Sequence, residues 1–457
     1  MTVKMDALKD DRGVPVSSCT AQSLEDFEVS LTQFQSYFGD PTETLARTLE
    51  RDPEFVLGHV FIASALLMST ERQYLPMIQK HIEIAESLSA KANNRERLLT
   101  LAARQWMEGH WDVASLTWDE VLSVHPRDSL ALQLAHLTDF YRGDSVNLRD
   151  RVGRVLGQWD VSISGYSYIL GMQAFGLEEC NEYDKSEAIA TAALELEVRD
   201  PWAIHALAHT YEMQGRYTEG ERMYRTREAD WAPDNGFAFH NWWHLALYHL
   251  EQEDFDAALR VYDENILPSE SDVSMQLLDA SALLWRLHLQ GIDLGDRWRN
   301  LASMWSNKTA LENGYYAFND FHAVVSFVGA GLERDAESVL SAVASAAQQN
   351  TGVTRMMARD VGLASCKAMI AFGQQRYDEV IKALLPIRTT AHRFGGSHAQ
   401  RDILTQTLIE AAIRTRNIGL ATNLIAERGV HKPHTPLTLR FSDKLIRVQA
   451  AASGVGA

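Results

Sequence analysis

The chain has 457 residues, too many for one compact core and suited to two or three domains or to one extended repeat array. Apolar residues make up 46%, enough for a sizeable core, while Asp and Glu outnumber Lys and Arg by 61 to 43, giving a formal charge of −18. A surface this acidic repels phosphate backbones, and the basic residues are scattered singly, so a nucleic-acid partner is not expected.

In chain order, the N-terminal "MTVKMDALKDDRG" alternates charges around no apolar centre and is not a signal peptide. Residues 1–20 are expected to be flexible. The longest apolar run, "VFIASALLM" from Val60, falls far short of a membrane span. Cys19, Cys180 and Cys366 are widely separated with no CxxC spacing and read as reduced thiols. These features describe a cytoplasmic protein with no membrane attachment.

From residue 21 onward Ala, Leu, Glu and Gln dominate, apolar residues recur at spacings of three and four, and alternating Val-Ile-Thr stretches are nearly absent. The expected class is all-α. A phrase recurs at the turns: "EGHWDVASLTW" with Gly109 and Trp111, "CNEYDKSEAIA" with Asn181 and Tyr183, "QGRYTEGERMY" with Gly215 and Tyr217, "QEDFDAALRVY" with Glu253 and Phe255, and "GQQRYDEVIKA" with Gln375 and Tyr377. In each a turn residue precedes an aromatic by two, and helical spacing follows. Gly109 to Gly143 is 34 residues, as is Tyr183 to Tyr217, the period of a tetratricopeptide unit of helix A, turn and helix B. Stacked units of this kind give a right-handed superhelix with helix A on the concave face. One such superhelix is expected over residues 21–445, in blocks of about 21–160, 161–290 and 291–445, with "GIDLGDRWRN" and "NTGVTRMMARDVG" as longer connections. Residues 446–457 are expected to be a flexible tail.

Six phrases carry a resemblance: "HPRDSLALQLAHLTDFYRG", "FGLEECNEYDKSE", "DPWAIHALAHTYEMQG", "FHNWWHLALYHLEQEDFDAALRVYDENILP", "FNDFHA" and "GGSHAQRD". In content and order the chain resembles the tetratricopeptide repeat protein 38 family over about residues 20–440. The resemblance implies an α-helical repeat fold and little about activity. Its histidine-bearing motifs fall on His205, His209, Glu212, His240, Asn241, His244, Asn319, Asp320 and His322, and its C-terminal motif on Gly395, Gly396, Ser397, Ala399, Gln400, Arg401 and Asp402. His249 and His398 depart from the family's usual residues.

The residues themselves point to the same places. On a helix, His205, His209 and Glu212 lie within about 60° of one another and form one stripe. His240 and His244 repeat the pair 35 residues later. Sixteen histidines would give about half such a pair by chance. Helical His-x3-His directs two imidazoles at one point, and adjacent helices lie about 8–10 Å apart, so both pairs can share a site. The expected metal ligands are therefore His205, His209, His240 and His244, with Glu178, Glu212, Asp320 and His322 as catalytic groups. An N/O donor set without thiolates suits divalent zinc, iron, manganese or nickel. Without a metal, His and Glu can act as an acid–base pair.

Asn319-Asp320 also reads as a helix N-cap, and Ser397 as another. Trp242 and Trp243 are not both expected to face the core, so Trp243 is assigned to the ligand together with Asn241, Gln400 and Arg401, the last as anchor for a carboxylate. No GxxxxGK, GxGxxG, GxSxG or HExxH pattern is present, so no nucleotide cofactor is expected. The composite expectation is a metal-dependent or acid–base enzyme, hydrolase or lyase in type, acting on a small polar organic molecule. The alternative is a non-catalytic scaffold that binds a peptide, a protein or a second copy of itself.

Overall fold

The computed structural model describes residues 8–433 and 435–452. The helices in chain order begin with α1 (Ala21–Ser36), α2 (Pro41–Arg51), α3 (Val56–Leu67), α4 (Leu75–Ser87), α5 (Asn94–Met107), α6 (Trp111–Val124), α7 (Ser129–Arg142) and α8 (Ser145–Leu156). They continue with α9 (Tyr166–Glu179), α10 (Tyr183–Leu196), α11 (Pro201–Met213), α12 (Tyr217–Thr226), α13 (Glu228–Trp231), α14 (Ala238–Glu251), α15 (Phe255–Val261) and α16 (Ser274–Leu289). The last are α17 (Arg297–Glu312), α18 (Ala317–Gly329), α19 (Glu333–Gln349), α20 (Gly352–Met357), α21 (Leu363–Gly373), α22 (Tyr377–Leu384), α23 (His398–Arg414), α24 (Ile418–His431) and α25 (Pro436–Ala452).

The recurring turn phrase has a backbone cause. Gly109, Asn181, Gly215, Glu253 and Gln375 all have positive φ, between 59° and 88°. A left-handed residue ends one helix and exposes its last carbonyls to the next N–H groups. The aromatic two residues later is the first residue of the following helix: Trp111, Tyr183, Tyr217, Phe255 and Tyr377 open α6, α10, α12, α15 and α22. Consecutive helices then pack as antiparallel neighbours. This is the all-α, tetratricopeptide-like helix–turn–helix architecture expected from the sequence.

The contacts divide the chain into two compact units. The first runs through Leu207 and takes in Pro233–Phe237 and Thr351–Val353. The second comprises Ala208–Ala232, Ala238–Asn350 and the described residues from Thr354 onward, so the division runs through α11.

Three expectations change. Residues 8–20, expected to be flexible, include a two-residue antiparallel ladder, Leu8–Lys9 against Pro15–Val16, pinned to α1 by Arg12 on Glu28 at 2.7 Å. Residues 446–452 belong to α25 rather than to a tail; residues 1–7 and 453–457 lie outside the described residues. "NTGVTRMMARDVG" is not a loop but α20 followed by a π-helical turn, Ala358–Gly362.

In the second unit α14 is buried on every side from His240 to Glu251, because it packs against α12, α15, α16 and α25. A helix enclosed all round has no face left for solvent, so Trp242 and Trp243 are both buried. Trp242 packs edge-on to Trp231 at 4.7 Å, and Trp243 stacks on His240 at 5.4 Å. Tyr248 fixes α14 against the second half of α11 by donating to the Ala208 carbonyl at 2.7 Å. Gly220 makes room for that ring, since a Cβ there would stand 2.6 Å from it.

Candidate metal centre

Within the second unit, α11 supplies His209 and Glu212, α14 supplies His240 and His244, and α16 supplies Asp279. One ring nitrogen each from His209, His240 and His244 lies within 4.8 Å of the others. The rings of His209 and His244 are 4.3 Å apart, those of His240 and His244 4.9 Å. His209 and His244 have no exposed surface.

Two rings are oriented by buried carboxylates. His240 Nδ1 donates to Asp279 Oδ2 at 2.7 Å, and His244 Nδ1 donates to Glu212 Oε2 at 3.1 Å. A carboxylate can only accept, so the proton sits on Nδ1 and the lone pair on Nε2 in both rings. Burial, and after it the neighbouring histidines, hold His209 and His244 well below the usual imidazole range. They are therefore neutral, the form that ligates metals.

The outer carboxylate of this pair is itself charge-compensated. Lys432 donates to Glu212 Oε1 at 2.5 Å and to Glu251 at 3.4 Å. Arg428 pairs with Glu251 at 2.5 Å and Asp402 at 2.9 Å. Burial works to raise Asp402 and to lower Lys432, but the partners overrule it: Arg428 and Lys432 hold Asp402 down, and Glu212 and Glu251 hold Lys432 up. The result is an unbroken buried chain, His244–Glu212–Lys432–Glu251–Arg428–Asp402.

His205 stands one turn before His209 on α11, inside the first unit, with its ring against Phe175 at 5.0 Å and Phe237 at 5.1 Å. Glu178 is buried on α9 of that unit. In the second unit, α18 begins at Ala317 after Tyr316 as N-cap, so Asn319-Asp320 is not the cap but lies inside the first turns. Asp320 Oδ1 accepts from the Gly314 amide at 3.0 Å. His322 donates Nδ1–H to the Phe318 carbonyl at 2.8 Å, and burial pushes it down to about 3. Asn241 accepts from the Tyr224 hydroxyl at 3.1 Å. Ser397 caps α23 with Gln400 in a reciprocal box, and Arg401 donates back to the Gly396 carbonyl. Gln400 and Arg401 thus both hold the helix start together.

Asp279, Lys432, Arg428 and Arg286 were not singled out by sequence. None sits in a recognisable spacing; Lys432 and Glu212 are 220 residues apart. The one available signal was that a buried histidine needs a partner for its second nitrogen.

No family model matches the chain. Among solved structures it is similar to the APC/C hetero-tetramer Cut9-Hcn1, at 10% identity and a TM-score of 0.38, over 85% of this chain and 76% of that one. It is similar to the human IFIT1 dimer with m7Gppp-AAAA at 13% identity and a TM-score of 0.42, over 93% of this chain and 99% of that one. The third is yeast Tom70, at 12% identity and a TM-score of 0.34, over 81% and 91%. At these values nothing about activity or partners passes to this chain. Among the described residues, no helix is long and apolar enough to cross a membrane.

Proposed function

We propose that the protein is a tetratricopeptide-like binding protein whose second unit is organised around a divalent transition-metal centre. The ligands are His209, His240 and His244. The observation that carries the reading is the pair of carboxylate–imidazole contacts, Asp279 to His240 and Glu212 to His244. Metal-ligating histidines are characteristically held in this way through the second ring nitrogen, which fixes the tautomer and raises ligand basicity. Neutral nitrogen donors suit zinc, iron, manganese or nickel.

The proposed role is binding rather than hydrolysis or elimination. Glu212, the strongest candidate for a proton-transferring acid, already accepts from Lys432 and His244. Asp279 accepts from His240. A catalytic base needs an oxygen within reach of the substrate's proton, and both oxygens of Glu212 and Oδ2 of Asp279 are engaged. Membership of the tetratricopeptide repeat protein 38 family is part of the same proposal. It is supported by the convergence of phrases far apart in sequence: in the second unit, Arg428 on α24 pairs with Asp402 of "GGSHAQRD" and with Glu251 beside "FHNWWHLALYH". Cys19, Cys180 and Cys366 form no disulfide, which accords with a cytoplasmic location.

The test is thermal melting of protein stripped by chelator and then titrated with zinc, iron, manganese or nickel. A ligand that binds only the native state raises the melting temperature with concentration. The proposal expects a saturable rise for at least one metal, absent in His240→Ala/His244→Ala. No rise with any metal contradicts it.

A further inference from the structure

The ion chain beside the histidine cluster is not balanced. Its carboxylates are Glu212, Glu251 and Asp402, and its cations are Lys432 and Arg428. Glu212, Glu251, Lys432 and Arg428 are buried, and the Asp402 side chain is 9% exposed. Asp279 and Arg286, both on α16, add one charge of each sign. Three carboxylates against two cations leave one negative charge in excess. Such an excess is costly in a low-dielectric interior unless a further cation answers it. A metal on the histidines is a cation in the right place.

Lys432 stands where the two demands on that charge meet. Its ammonium donates to Glu212 Oε1 at 2.5 Å, while Glu212 Oε2 accepts from His244 Nδ1 at 3.1 Å. One carboxylate thus answers Lys432 with one oxygen and the imidazole with the other. A metal on His244 Nε2 would draw on the same carboxylate, because ligation draws electrons from the ring and makes its N–H a stronger donor. The field of Lys432 also reaches the ligands. After burial and the neighbouring histidines, Lys432 is among the groups that depress both His209 and His244.

The ammonium does not come from the helices that carry the ligands. Lys432 is the C-cap of α24, its amide bonded to the Arg428 carbonyl at 2.8 Å. Three residues later Thr435 caps α25 by accepting from the Thr438 amide at 2.9 Å, and it accepts from Arg428 Nη1 at 3.3 Å as well. The position of this charge is therefore set by the junction of α24 and α25, whereas the histidines sit on α11 and α14.

We infer that Lys432 is a resident counter-cation of the metal centre: it competes with the metal for the negative charge of Glu212 and Glu251, so that the α24–α25 junction regulates the affinity of the site. The inference rests on the metal reading above and adds a sign to it. A residue that merely supports a site weakens binding when it is lost. Losing Lys432 instead doubles the negative excess and should strengthen it, and neutralising Glu251 should do the reverse. Neither residue is a ligand.

The test is metal affinity of full-length protein made without a histidine tag, measured by competition with a fluorescent chelator for zinc, iron, manganese and nickel. Lys432→Met should bind the preferred metal about tenfold or more tightly than wild type, the scale of one elementary charge removed at an effective dielectric of about 20. Glu251→Gln should bind it about threefold to tenfold less tightly. Lys432→Met/Glu251→Gln restores the charge count and should lie near wild type. Circular dichroism checks each fold, and should Lys432→Met not fold, Glu251→Gln and the double variant decide. A folded Lys432→Met that binds no more tightly than wild type, or a Glu251→Gln that binds as tightly, overturns the inference and leaves the metal centre standing. No metal bound by either wild type or Lys432→Met removes the metal centre, and the inference with it.

Discussion

His244 donates its Nδ1 proton to Glu212 Oε2 over 3.1 Å, and neither side chain has any surface in contact with solvent. The bond settles which nitrogen carries the lone pair, and it joins the histidine cluster to the ion chain that runs through Lys432 to Asp402. Four predictions follow from the chemistry of that junction and of the fold around it.

Glu212→Gln keeps the shape of the side chain and removes its charge. The imidazole loses its anionic partner, and metal affinity should fall about tenfold to a hundredfold. Asp279→Asn should do the same through His240. Competition with a fluorescent chelator measures both, and helical circular dichroism should be unchanged.

Lys432→Met leaves Glu212 and Glu251 buried without their shared cation. Breaking one side of a buried pair costs about 3–5 kcal/mol, to be read as a lower urea midpoint. Glu251 keeps Arg428, so adding Glu212→Gln removes the carboxylate that has lost its cation and should recover part of the loss. A double-mutant cycle in which the two costs simply add would show that the pair is not coupled.

Gly215 ends α11 with a φ of 72°, and a Cβ there would meet the Pro433 carbonyl oxygen at 2.7 Å. Gly215→Ala combines left-handed strain with a backbone clash next to Lys432. A loss of about 1–3 kcal/mol is expected. Gln375, at φ 59°, has the opposite prospect: Gln375→Gly relieves the same strain and should raise stability by about 1 kcal/mol. Chemical denaturation compares the two.

In the first unit, burial pushes His136 down to about 3, against an ordinary value near 6.5. The folded chain therefore resists a proton that the unfolded chain accepts. The stability this neutral ring contributes is complete above about pH 6.5 and is lost as pH falls toward 3. Urea midpoints at several pH values should decline across that window, and His136→Phe should flatten the decline. An unchanged slope in the variant would count against the assignment.

What the sequence disclosed, and what it concealed, follows from the range of the interactions. The helix ends were legible because a left-handed residue followed two later by an aromatic is a local pattern; Gly109, Asn181, Gly215, Glu253 and Gln375 all behave as that pattern requires. His209, His240 and His244 were legible because i,i+4 spacing is local too. Lys432, Asp279 and Arg286 were not, because they meet α14 only through contacts distant in sequence: Lys432 with Glu251, Asp279 with His240, Arg286 with Trp243. The reading of Asn319-Asp320 as a cap failed because α18 starts two residues earlier, after a Tyr316 that has no capping side chain. The expectation for Trp242 and Trp243 failed because α14 is enclosed all round, which no single-helix pattern reveals.

The most direct test of the metal centre is elemental analysis of protein made without a histidine tag, stripped by chelator, reloaded with each candidate metal in turn and freed of excess. Wild type should retain about one ion per chain of at least one of them, and His209→Ala/His244→Ala essentially none. Wild type that retains no metal, or a folded double variant that retains as much as wild type, would contradict the account.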